Sequence, residues 1–364
     1  MKKIFLLATI ATCFTACKKE ISQSKPVSGQ DVQQSVYSTQ ITAVKATYYD
    51  SLFTRYKAGE WTGGDVASSM LLPDGSSFWL FGDSFVDTVY PDRHRPFDAF
   101  IHNSIVTTTP AGSFKTFYGG NSRNPKPFFD TASPIILWPS SAFTDSAQTK
   151  VYVLMVTVKS TGGGNFGFET VGNTVAVLRL SDFKVLDRFT FNNTNTIDWS
   201  SATLTDSGYV YIYGAESTDN NKFMHVCRTP ASNPFKVVEY YDGTNWFRRS
   251  KKSARIAKDL SEQYSVFKYQ GKYYLLSQQS KFLSADIYLW DAASPTGPFT
   301  NKRKIYTTPE TTGNIITYNA TAHPELIQDG KLLVGYCTNS FGSFDIWNNA
   351  DYYRPYFIWV SNWQ

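Results

Sequence analysis

Charge and reactive side chains are scarce in this 364-residue chain, which has 4 cysteines, 4 histidines and 4 methionines, with only 18% of residues charged. Setting aside Lys2 and Lys3, 33 basic side chains stand against 30 acidic ones. That near balance gives no electrostatic case for a nucleic-acid partner. The one basic run, RRSKKSARI at 248–256, follows Trp246 and Phe247 but holds no aromatic on which bases could stack, and reads as a solvated loop. There is no His-rich tract, no close cysteine pair and no calcium loop with acids at alternate positions, so no metal site or cofactor has a sequence signature. The GGG at 162–164 opens no helix and carries no Lys-Ser/Thr, which excludes a phosphate loop. Long helical periodicity is also missing, except for a weak pattern over 33–58.

The longest apolar run is at the start. Lys2 and Lys3 precede Ile4–Phe14, an apolar core too short to span a membrane. Phe14-Thr15-Ala16-Cys17 then reads as a lipobox, with Cys17 the lipidated residue, and Lys18-Lys19-Glu20 resembles the charged export tag of surface lipoproteins. The organisation expected is a signal peptide over 1–17, a flexible tether over 18–40 rich in Ser, Gln, Lys and Val, and one large domain over 41–364. The protein is thus expected at the outer membrane, facing the periplasm or the cell surface, held by its lipid and monomeric. Cys13 falls in the leader, and Cys227 and Cys337 read as two buried thiols rather than a disulfide.

Aromatics are plentiful, at 16% with 23 Tyr and 9 Trp, a β-rich profile that suits flat sugar faces as well as cores. Strand–turn–strand units recur, with turns near residues 74, 147, 207, 270 and 329, roughly 60 to 70 residues apart. Further strand-like segments follow each of the first four. Four strands per repeat at that period predict an all-β, five-bladed β-propeller. A β-sandwich would not explain the period.

The first hairpin runs from Trp61 to Phe85 and turns at Pro73-Asp74-Gly75. Asp65 and Asp83 lie equally far from that turn, so antiparallel pairing sets them opposite each other at the open end. Like charges there are destabilising, and such a pair splits its pKa values in a way that serves acid–base chemistry. In a propeller the first strand of each blade lines the central channel and begins at the rim. Counting back eight or nine residues from each turn gives Asp65, Trp138, Asp198, Glu262 and, in the last blade, the segment Asn319–Thr321. Three acids and a Trp are thus expected to cluster at one channel mouth.

Several short motifs carry a resemblance: GGD at 63–65, FGDSF at 81–85, HNSI at 102–105, LWPSS at 137–141, YVYIYG at 209–214, YYDGTNW at 240–246 and YNATAHPEL at 318–326. Over residues 55–364 the chain resembles a five-bladed propeller family of unknown function, some of whose members are endo-D-arabinanases. That group is similar to the furanosidase superfamily of arabinanases, β-xylosidases, invertases and levansucrases. The resemblance implies a base Asp in blade one, an orienting Asp in blade three and an acid Glu in blade four, here Asp65, Asp198 and Glu262. Asp83 competes for the acid role through the hairpin argument.

The remaining candidates bind rather than react. Trp138 is a stacking platform for a furanose ring or a core residue, and Trp199 follows Asp198. Asn103 bonds a neighbouring strand or a sugar, and Asn319 lies at the rim. His323 and Glu325 share one face of a strand. His323 holds a substrate hydroxyl, helps hold a central cation, or is a core histidine bonded to Glu325. The function expected is glycoside hydrolysis of a furanose-containing, arabinan-like polysaccharide, inverting, by a pair of rim carboxylates. The alternative is a non-catalytic glycan-binding propeller of a polysaccharide-utilisation system. In both, the partner is a polysaccharide or oligosaccharide.

Overall fold

The structure, a computed structural model, describes residues 40–364 apart from 97–99, 163–166, 193, 195, 220 and 280–283. The expected leader, the expected lipidation site Cys17 and the expected tether up to residue 39 lie outside the described residues, as do two of the three glycines of GGG. Antiparallel sheets follow one another along the chain and form a five-bladed β-propeller.

The inner strands are Gly63–Leu71, Ile135–Thr144, Asp198–Asp206, Tyr264–Tyr269 and Ile315–Gln328. Each pairs with the next strand in sequence through a tight turn. Three of these turns place both central residues at positive φ: Ser207 (50°) with Gly208 (81°), Gln270 (46°) with Gly271 (83°), and Asp329 (49°) with Gly330 (72°). That is the mirror-image turn whose twist matches a hairpin's, and glycine at its second position relieves the strain. The turns read from the sequence therefore fall where expected.

The last blade closes differently from the others. Its inner three strands come from the C-terminal part of the chain, but its outermost strand is Thr42–Lys45, which pairs with Pro355–Ser361 in the register Thr42↔Ser361. The weak helical pattern over 33–58 yields one short helix, Thr47–Leu52, just after this strand.

Between adjacent blades lies a separate apolar cluster, five in all. The cluster between blades five and one is aromatic: Phe53, Trp61, Trp79, Phe81 and Phe357 are all essentially inaccessible to solvent. Burying each such side chain is worth roughly 2–3 kcal/mol, so the ring is held by its seams. Cys227 and Cys337 are free thiols within two of these seams.

Candidate active site

The rim positions counted from the sequence meet at one place. Asp65, Trp138, Asp198, Glu262 and Asn319 all line a cavity of about 550 Å³ at the mouth of the channel, and Asp83 lines it too.

Asp65 does not sit in plain register. The pairing runs Gly63↔Phe85 and Gly64↔Ser84, then resumes at Val66↔Phe81, so Asp65 occupies a bulge opposite Gly82 and Asp83. Val66 (φ 72°) and Ala67 (φ 49°) follow it in the left-handed region. For a β-branched residue that conformation is strained, on the order of 1–2 kcal/mol. The Gln263 amide steadies it by donating to the Val66 carbonyl at 3.2 Å. The strain turns the Asp65 carboxylate into the cavity and lays it over Gly82, where a Cβ would collide with Asp65 Oδ1. The inner strands of blades two, three and five are also irregular near the mouth.

The carboxylates have different surroundings. Asp65 accepts a hydrogen bond from the Tyr318 hydroxyl at 2.9 Å. Burial pushes its carboxyl up to about 7, and the Asp83 charge adds to the rise, against the opposing pull of the Tyr318 and Tyr353 hydroxyls. Asp83 Oδ1 accepts from Trp138 Nε1 at 2.8 Å and lies 3.0 Å from His102 Nδ1. That contact with Asp83 raises the pKa of His102. Asp198 Oδ1 takes bonds from Asn173 Nδ2 (2.6 Å), the Ser200 hydroxyl (2.5 Å) and the Ser200 amide (3.1 Å). Burial still lifts Asp198 to about 6. Glu262 is half-exposed, accepts from the Ser217 hydroxyl at 2.6 Å and pairs with Lys222 Nζ at 3.1 Å.

Trp138 forms one wall, with the Phe168 ring edge-on to it at 4.7 Å. Four expected binding residues lie elsewhere. Trp199 is buried (2% exposed), edge-on to Tyr240 at 5.2 Å in the seam between blades two and three, because the irregularity after Asp198 turns it away from the mouth. Asn103 is fully buried and ties the neighbouring chain, donating to Leu137 O (2.9 Å) and accepting from Phe129 N (2.7 Å). His323 and Glu325 are not bonded to each other. Both converge on the Ser69 hydroxyl, lower in the channel, with His323 Nδ1 at 2.6 Å. Burial among Trp79 and Phe357 holds His323 neutral, down to about 3. Among the described residues no group of three or more His, Cys, Asp or Glu side chains is arranged to hold a metal ion.

Sequence reasoning missed Tyr318, Tyr353, His102, Asn173, Lys222 and Phe168 as parts of the site. Tyr318 and His102 sit inside the motifs YNATAHPEL and HNSI, where a pattern could have flagged them. Asn173, Lys222 and Tyr353 reach the mouth from outer strands and a late loop, and carry no local signal.

The family profile described as a domain of unknown function, DUF5005, matches residues 46–363. The chain belongs to that family. No curated protein matches it. Among solved structures, this DUF5005 chain is similar to a candidate hydrolase from Bacteroides ovatus, with 24% identity and a TM-score of 0.75 over 89% of this chain and 91% of that one. An exo-β-1,3-galactanase from Phanerochaete chrysosporium, crystallised with β-1,3-galactotriose, overlaps with a TM-score of 0.49 and 12% identity over 84% of this chain and 63% of that one. An α-L-arabinofuranosidase from Podospora anserina, in complex with cellotriose, gives 0.47 and 10% over 84% and 92%. The first likeness shows the shared fold, and the two looser overlaps carry no argument about activity.

Proposed function

We propose that the protein is a glycoside hydrolase that cleaves a furanose-containing, arabinan-like polysaccharide with inversion, presented from a lipid anchor at Cys17. The observation that carries this reading is the convergence of four carboxylates from three blades on one cavity, with Asp65 and Asp198 lifted by burial. Asp65, lifted to about 7, is the group that holds a proton near neutral pH. Glu262, paired with Lys222 and open to solvent, is the partner from blade four on the same cavity.

In the proposed reaction, Asp65 gives its proton to the glycosidic oxygen as the C–O bond breaks. A water attacks the anomeric carbon from the opposite side, and its proton passes to the Glu262 carboxylate. Asp65 ends as a carboxylate and Glu262 as an acid, so the two must exchange a proton equivalent with solvent before the next turnover. Asp198, with one oxygen held by three donors, positions substrate hydroxyls with the other. Asp83 keeps the Asp65 pKa high, and Trp138 with Phe168 offers a ring face for a sugar. This assignment reverses the roles that the resemblance implied for Asp65 and Glu262, because burial keeps a proton on Asp65.

Purified protein incubated with arabinans, galactans and fructans tests the reading, with the anomer of the first product followed by NMR. Asp65→Asn and Glu262→Gln should each lose turnover by orders of magnitude. An Asp65→Asn protein as active as the parent would overturn the site. A parent that binds a glycan and never cleaves it would make this a non-catalytic glycan-binding propeller.

A further inference from the structure

Blade one holds a buried cation that the site described above does not use. Arg95 lies in the connection between Ser77–Phe85 and Phe100–Ile101 and is 3% exposed. No carboxylate among the described residues forms an ion pair with it. Asp351, whose charge it feels, is already held by Arg93 at 3.0 Å and Arg354 at 2.8 Å. Its Nε and Nη1 have no hydrogen-bond partner among the described residues. Burying a guanidinium on such terms is costly.

The contacts that Arg95 does make converge on two elements of the candidate site. Nη2 donates to Thr62 O at 3.4 Å and to Ala350 O at 3.2 Å. Thr62 lies three residues before Asp65. Ala350 lies three before Tyr353, whose own amide donates to the same Ala350 O at 3.2 Å. The guanidinium rests over the Phe85 ring, 4.0 Å from its centroid, and the Tyr353 ring meets that Phe85 edge-on at 5.7 Å. Gly63 leaves the room for this packing: a Cβ there would stand 2.5 Å from Tyr353 O and 2.7 Å from Arg95 Nη1. One side chain thus joins the strand that carries Asp65, the loop that carries Tyr353 and the ring on which Tyr353 leans. The Tyr353 hydroxyl in turn donates to Asp83 O at 3.3 Å and acts on the Asp65 carboxylate.

We propose that Arg95 is a positioning residue of the candidate active site, clamping the Tyr353 loop to the first strand of blade one so that the Tyr353 hydroxyl is set against Asp65. Its kinetic consequence rests on the hydrolase reading, but its effect on Asp65 does not, and it is the same whether Asp65 serves as acid or as base. Asp83, Tyr318, Tyr353 and Cys337 are the titratable groups beside Asp65 among the described residues. Arg95 is not one of them, so its influence passes through the backbone and Tyr353. With the clamp in place the hydroxyl stabilises the ionised carboxylate. With the clamp loosened that stabilisation falls, and Asp65 keeps its proton to higher pH.

Arg95→Met keeps an apolar stem over Phe85 and removes the clamp. Asp65 is titrated without reference to activity through the melting-temperature gap between each protein and its Asp65→Asn counterpart, followed from pH 5 to 9, because the gap cancels every other group the two share. The pH at which the gap levels off should rise by about one unit in Arg95→Met, the size of a hydrogen bond to a charged group. Tyr353→Phe should give the same shift, and Arg95→Met should add nothing in the Tyr353→Phe background. An unmoved titration overturns the proposal, even with a lowered melting temperature, and so do two shifts that add. In hydrolysis assays kcat should fall several-fold with KM nearly unchanged, and the limb of the pH profile that Asp65 governs should move to higher pH. Arg95→Lys, which keeps the charge and one donor, should lie between parent and Arg95→Met. If Arg95→Met does not fold, Arg95→Lys carries the same titration test, with a smaller shift in the same direction expected and no shift overturning the clamp. If the parent cleaves no glycan, the hydrolase reading fails, while the titration of Asp65 still decides the role of Arg95.

Discussion

Replacing Asp65 by Asn should make the protein more stable, by an amount that depends on pH. A carboxyl whose folded pKa is about 7 against an ordinary 3.8 resists ionisation in the fold. The stability associated with this group is therefore fully present below the unfolded value and is lost as pH rises through the folded one. Converted at 1.36 kcal/mol per pKa unit, the difference amounts to roughly 4 kcal/mol above pH 7 and roughly 2 kcal/mol at pH 5. Asparagine carries no charge and still accepts from the Tyr318 hydroxyl through its Oδ1. Its new N–H groups face Gly82 and Asp83, and a less than ideal fit there trims the gain to about 2 kcal/mol at pH 8. For a domain of this size that is about 4 °C in melting temperature, at ~2 °C per kcal/mol. Differential scanning fluorimetry of parent and variant from pH 5 to 8 measures it. The gap should be small at pH 5 and widen steadily to pH 7, then level off. A variant that melts lower at pH 8, or a gap that stays constant with pH, would refute both the raised pKa and its cause.

The same carboxyl governs the pH profile: with Asp65 as proton donor, kcat/KM should fall as pH rises through about 7, whereas a fall on the acid side of 7 would return it to the role of base. Trp138→Ala removes a cavity-lining ring and the N–H that Asp83 accepts, and should raise KM about tenfold, measured on the best substrate of the glycan panel. Gly82→Ala forces Asp65 off its seat and should cost far more activity than melting temperature, with circular dichroism reporting the fold. Cys17→Ser should release the protein from membranes or block its processing, and an unchanged membrane fraction in cell lysates would count against the lipid anchor.

Much of the architecture was legible because it is local. A hairpin announces itself through a turn such as Asp329-Gly330 and the alternation that flanks it, and five of them at a regular interval leave few folds to choose from. Counting back from the turns found Asp65, Trp138, Asp198, Glu262 and Asn319 because the inner strands differ little in length from turn to rim. The count could not see the bulges. The irregular stretch between Asp198 and Ala202 is enough to rotate Trp199 from the mouth into a seam, and period-2 reasoning has no means of predicting it. Nor could it pair residues distant in sequence. Asn173 supports Asp198, Lys222 meets Glu262, and Tyr353 hydrogen-bonds to the Asp83 carbonyl because blades curl together at the mouth. Those partners hold the carboxylates and the strand that carries Asp83, so the residues were readable while their surroundings were not.

The strand Thr42–Lys45 completes a sheet whose other members are made last, with residues 42 and 361 side by side. A nascent chain holds this piece almost from the beginning and must wait for nearly the whole of its own synthesis before it has anywhere to put it. Four blades can assemble as they emerge, but the circle stays open until the final strand arrives. A domain that lacks either Thr42–Lys45 or the end of Pro355–Ser361 would lose the same clasp, and with it the seam of Phe53, Trp61 and Trp79 that lies just inside. Closure of the ring is thus the last event its order of synthesis allows, since the circle cannot lock until residues 42 and 361 have both been made.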